Sequence, residues 1–148
     1  MALQERLSQE LKAAMLAKDA DRLSTLRLLK SALGYLQVER KTDTIPDPDF
    51  IALVQKEVKK RGDAIDQYEK GGRPELAAKE RTEISVLETF LPKPLSPAEL
   101  EQLIQAAIQE TGAKSKKDMG PVIKAVQAKA AGRADGKTIS SVVGRLLP

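Results

Sequence analysis

The chain has 148 residues, a formal net charge of +4, and neither histidine nor cysteine. This composition excludes imidazole bases, thiolate nucleophiles, disulfides and the usual zinc and iron–sulfur sites. There is no tryptophan, and two Phe and two Tyr leave little for stacking nucleic-acid bases on aromatic rings.

Apolar residues recur at helical spacing in the first half of the chain, and the sequence predicts four helices over residues 1–92. The first has a stripe of Leu3, Leu7, Leu11 and Met15, and Asp19 or Asp21 is expected to cap the second. A third helix is expected to begin with Asp47 as its N-cap and to end at Gly71–Gly72. The fourth begins at Pro74, and Pro92 stops it.

Three shorter helices are predicted over residues 93–148. Two capping boxes, Ser96 to Glu99 and Ser115 to Asp118, mark the first two starts, and Asp135 is expected to cap the last helix. No alternating apolar pattern is present. The sequence therefore predicts an all-α, multihelical fold without a sheet. It comprises a four-helix N-terminal domain (1–92) and a three-helix C-terminal module (93–148).

The net charge belongs to the predicted C-terminal module. Residues 1–92 contain 16 basic and 16 acidic residues, whereas residues 93–148 contain nine basic and five acidic ones. Lysines release counterions when they contact phosphates, and helix starts beside glycines offer amides to the same oxygens. The pattern indicates a candidate RNA-backbone site whose expected members are Lys114, Lys116, Lys117, Lys124, Lys129, Arg133 and Lys137, with Gly120 and Gly136.

Other chemistry is not indicated. Lys56, Lys59, Lys60 and Arg61 form a second basic cluster, interpreted as a solvated helix face. No phosphate-binding loop, nucleophile elbow, metal cluster or membrane-spanning segment is recognisable, so we expect no catalytic residue, cofactor, metal or membrane partner. Without a targeting segment, a cytoplasmic location is expected.

Short motifs in a fixed order resemble the YqeY-like family along nearly the whole chain. Over residues 1–96 they include Leu7, Lys12, Ala14, Met15, Lys18–Asp19, Arg22 to Lys30, Tyr68 to Arg73, Leu76, Glu83, Phe90 to Pro92 and Leu95–Ser96. In the second half they are Thr111 to Ala113, Asp118 to Gly120 and Gly132 to Gly136.

The family is similar to the C-terminal tail of the B subunit of the glutamyl/aspartyl-tRNA amidotransferase. The resemblance implies an all-α fold in two parts and a link to tRNA, hence a tRNA-binding accessory module. It also implies glutamine-dependent carbon–nitrogen ligase activity, for which no nucleophile or ATP site is visible here. The remaining alternative is a protein-interaction module that docks on a tRNA synthetase or an amidotransferase subunit through Phe90, Leu91, Leu95 or Leu147.

Overall fold

The computed structural model describes all 148 residues as seven α-helices and one short 3₁₀ turn, with no strand, which confirms the all-α prediction. The helices are α1 (Leu3–Leu16), α2 (Ala20–Arg40), α3 (Asp47–Lys70), α4 (Pro74–Glu88), α5 (Pro97–Thr111), α6 (Met119–Ala130) and α7 (Gly136–Leu146). The 3₁₀ turn, Lys116–Asp118, leads directly into α6. None of the helices combines the length and apolarity that crossing a membrane requires.

The helices pack into two compact units, unit 1 (Met1–Leu91) and unit 2 (Pro92–Pro148). The core of unit 1 is centred on α2, where Leu26, Leu29 and Leu33 are buried, as the leucine periodicity predicts. Phe50 of α3 and Phe90, just after α4, are fully enclosed in the same core with their rings 5.8 Å apart.

Two local predictions in unit 1 were wrong. Met15 is 55% exposed, and Ala14 is buried in its place. Each step of four residues turns about 40° further around the helix axis, so by Met15 the predicted stripe no longer faces the core. Asp47 is not the N-cap of α3, a position that Pro46 occupies. The Asp47 carboxylate instead accepts the backbone amide of Leu3 at 3.0 Å and so caps α1.

Unit 2 is a three-helix bundle with its own core. The buried residues are spaced three or four apart on each helix: Leu100, Ile104, Ala107, Val122, Val126, Ile139, Val143 and Leu147. The predicted caps are present. The hydroxyl of Ser96 accepts the Glu99 amide, the Ser115–Asp118 capping box is complete, and Asp135 accepts the Thr138 amide. Gly112 and Gly132 adopt positive φ at helix ends, where a side chain would strain the backbone.

Candidate nucleic-acid interface

The carboxylates of unit 2 are all engaged within the unit. Asp118 accepts the backbone amides of Lys114 and Ser115, and Asp135 accepts that of Thr138. The other three acidic residues, all on α5, form the ion pairs Lys129–Glu110 (2.8 Å), Arg133–Glu99 (3.3 Å) and Arg145–Glu101 (3.8 Å). No acidic side chain of this unit is therefore left to neutralise the other cations.

The structure separates the predicted site into two groups. Lys129 and Arg133 belong to the α5 ion pairs, and Arg133 also donates to the backbone carbonyl of Lys93 at 2.9 Å. The other five lysines are exposed and have no carboxylate partner, and we call them the lysine face: Lys114, Lys116, Lys117, Lys124 and Lys137.

Helix geometry explains this separation. Lys124 lies on the opposite side of α6 from the buried Val122 and Val126, because successive residues are about 100° apart. Lys129 lies close to the Val122 direction, at the margin of the core, and there it meets Glu110 of α5. Two lysines of one helix therefore have different surroundings although both are exposed.

The lysine face runs from the start of α6 to the start of α7. Lys114, Lys116 and Lys117 directly precede α6, and Lys124 follows on its outward side. Gly136 packs so closely on Gln127 that an added Cβ would lie 3.2 Å from Gln127 Nε2. This contact brings the first turn of α7, which contains Lys137, beside a residue one turn along α6 from Lys124.

The two predicted glycines differ. Gly120 is exposed one turn before Lys124, and an added Cβ there would meet no atom within 4 Å, so the surface beside it is open. Gly136 begins α7, where the Asp135 carboxylate already accepts the Thr138 amide at 2.6 Å. A phosphate at this helix start would have to displace that carboxylate, so the lysines rather than the amides provide the positive charge.

A second cluster of charges joins α3 to α4 in unit 1. Arg61 is 9% exposed; its Nε lies 2.9 Å from Glu83 and 3.9 Å from Glu80, and its Nη1 lies 3.1 Å from Glu57. Burial, reinforced by the neighbouring Glu83, raises the pKa of Glu80. The interpretation of Arg61 as part of a solvated face was therefore wrong. The Glu57–Arg61 spacing of four residues was the signal for a paired arginine.

The apolar residues suggested for protein docking are not free. Phe90 and Leu147 are only 2% and 3% exposed, and Leu91 and Leu95 are half-buried beside the two cores. The most exposed apolar side chains lie elsewhere: Leu16 on α1 is 86% exposed, and Tyr35 and Val38 on α2 are 80% and 78% exposed. No group of acidic side chains in the chain is arranged to hold a metal ion.

The fold and the site define a class: a small all-α protein of two units with a lysine face on the second. The chain belongs to the YqeY-like family, whose model, described as "Yqey-like protein", matches residues 4–147. This match confirms the resemblance stated from the sequence.

Similar proteins come from fungi. The Vanderwaltozyma polyspora protein named "Altered inheritance of mitochondria protein 41, mitochondrial" is 29% identical over 70% of this chain and 57% of its own length. A protein of the same name from Pyrenophora tritici-repentis is 27% identical over 95% of this chain and 71% of its own length. An uncharacterized protein of Schizosaccharomyces pombe is 35% identical over 62% of this chain and 73% of its own. The chain spans little more than half of the first of these relatives.

The names of the Vanderwaltozyma polyspora and Pyrenophora tritici-repentis proteins contradict the expected cytoplasmic location, because they are names of mitochondrial proteins. The expectation was based on the composition of the folded part and on the lack of a recognisable targeting segment. Targeting segments are separate from the domains that they direct, so the sequence of a folded domain does not specify its compartment.

Proposed function

We propose that this YqeY-like protein is a non-catalytic accessory module that binds structured RNA, with tRNA as the first candidate. The observation that supports it is the lysine face: five exposed lysines without a carboxylate partner, in a unit whose five carboxylates are all engaged. A surplus of positive charge that the protein does not neutralise itself attracts a polyanion.

The proposed contact is with backbone phosphates. Each lysine that neutralises a phosphate releases condensed counterions, so affinity falls as salt rises. If four to six phosphates are contacted, the logarithm of affinity should fall with the logarithm of salt concentration at a slope of about −3 to −5. RNA shape would then decide which molecules bind, because lysines on helix surfaces contact phosphates without reading base edges.

The resemblance to the amidotransferase tail suggests tRNA. Two of the three fungal relatives described above carry mitochondrial names, and the same link to mitochondria is proposed for this chain. Mitochondrial tRNAs therefore belong in the binding test.

The test is a gel-shift titration of purified tRNA against the full chain at several salt concentrations. We expect the triple variant Lys116→Glu, Lys117→Glu and Lys124→Glu to lose binding. The matched control is Glu110→Gln with Lys129→Gln, which removes one ion pair at constant net charge and should bind as the parent does. A slope near zero in the parent, or unchanged binding by the triple variant, would refute the proposal.

A protein-docking role is the second candidate, and the exposed side chains of α2 support it. Tyr35 and Val38 lie one turn apart, and both are largely exposed. If this strip contacts a tRNA synthetase or an amidotransferase subunit, Tyr35→Lys with Val38→Lys should abolish the complex with the purified subunit. The same variant should leave tRNA binding unchanged.

A further inference from the structure

We infer that the lysine face selects the backbone of a double-helical stem over a single strand, and does so without regard to base sequence. This inference rests on the proposed function, since it names the class of RNA that unit 2 binds. Three features of the unit support it: the ion pairs of its arginines, the absence of aromatic side chains and the ordered backbone that carries most of the lysines.

The two arginines of unit 2 are each paired with a carboxylate of α5. Arg133 donates to the Lys93 carbonyl at 2.9 Å and pairs with Glu99, and Arg145 pairs with Glu101. Guanidinium groups read guanine through paired hydrogen bonds and stack on bases, whereas an ammonium group acts as a point charge. The cations that remain for the RNA can therefore neutralise phosphates but have little means of distinguishing bases.

A single strand gains little from this surface. Flexible strands must be ordered on binding, and their usual compensation is stacking on aromatic rings, which strengthens binding about 5- to 150-fold per base. All four aromatic residues of the chain, Tyr35, Phe50, Tyr68 and Phe90, belong to unit 1. Unit 2 thus supplies the charge that single strands need but not the stacking.

A stem suits the face better because its phosphates, like the backbone of the turn and helices that carry most of the lysines, are already ordered. Lys117 lies in the 3₁₀ turn that leads into α6, and Lys124 lies within that helix, seven residues later, or about 10 Å along the helix axis. A duplex offers phosphates from two strands and so about twice the charge of one strand per length of axis, which in double-stranded DNA is about one charge per 1.7 Å. The backbone that carries the lysines and the backbone that carries the phosphates are both ordered before binding, so only the lysine side chains need to be ordered.

The experiment compares labelled nucleic acids of equal length with the full chain at one salt concentration. The probes are an RNA hairpin with a long stem, the same hairpin with a scrambled stem, oligo(U), and a DNA hairpin of the first sequence. We expect both RNA hairpins to bind about equally, and about tenfold or more tightly than oligo(U). Phosphates are common to RNA and DNA, so the DNA hairpin tests whether the lysine face binds RNA in preference to DNA. We expect the DNA hairpin to bind no more tightly than the RNA hairpin.

The outcomes separate this inference from the function on which it rests. Salt-dependent tRNA binding with oligo(U) bound as tightly as the hairpin would overturn stem selection while leaving RNA binding intact. A large preference between the two stem sequences would overturn sequence independence, and a DNA hairpin bound tenfold more tightly than RNA would overturn the assignment to RNA. Failure of tRNA and every probe to bind would refute both proposals. Lys124→Gln should weaken hairpin binding more than Lys129→Gln, which separates the lysine face from a general charge effect.

Discussion

The two units differ in how many of their acidic side chains are engaged by partners within the same unit. Unit 1 has equal numbers of basic and acidic residues, and some of its exposed acidic residues, such as Asp63 and Asp66, form no ion pair. In unit 2 every acidic side chain is engaged, and the five lysines of the lysine face are left without a carboxylate partner. The comparison shows that the net charge of a domain matters less than which of its charges are already paired.

The largest expected loss of stability comes from a substitution in the core of unit 1. Phe50→Ala should lower the free energy of unfolding of unit 1 by about 3–5 kcal/mol, because it removes a fully buried ring from contact with Phe90. Near-UV circular dichroism of the full chain in urea should report it, since all tyrosines belong to unit 1. A loss of stability in unit 2 of similar size, measured by hydrogen exchange, would contradict the description of two separate cores.

Arg61→Met should be the next largest change, at about 2–4 kcal/mol. The substitution removes the cation that Glu57, Glu80 and Glu83 share, and leaves these partly buried carboxylates facing one another. Urea denaturation measures it. Adding Glu83→Gln to Arg61→Met should restore part of the stability, and a double variant no more stable than the single one would argue against carboxylate repulsion as the cause.

A pH dependence should follow from Glu80. Its pKa is raised in the folded protein, first by burial and then by Glu83, so the folded state takes up a proton more readily than the unfolded state does. Protonated Glu80 therefore stabilises the folded state of unit 1. This contribution is fully present below pH 4.5 and is lost as the pH rises through the raised pKa, so unit 1 should become more stable as the pH falls from neutral towards 4.5. Thermal unfolding across this range should show the trend, and Glu80→Gln should flatten it. An equally steep trend in that variant would assign the titration to another group.

The fold was largely predictable, because its signals are local. Leucines at helical spacing, the Ser96 and Asp135 caps and the glycine ends each depend on neighbouring residues, and all are present in the structure. Asp47 shows the limit: its carboxylate bonds to Leu3, 44 residues away, and no local pattern encodes that contact.

The candidate site was only partly predictable for the same reason. The sequence supplies the number of cations in unit 2, but the pairing of Lys129 with Glu110 spans 19 residues and depends on how α5 packs on α6. Lys124 and Lys129 count equally in the net charge of the sequence. Only the packing of α5 on α6 gives Lys129 a carboxylate partner and leaves Lys124 without one.

The most direct test of the lysine face compares two single variants, Lys124→Gln and Lys129→Gln, in salt titrations of tRNA binding. Both remove one positive charge from an exposed lysine of α6, but only Lys129 is paired with a carboxylate. We expect Lys124→Gln to make the salt slope shallower by about one, and Lys129→Gln to leave it close to the parent value. Equal changes in the two slopes, or no change in either, would contradict the account.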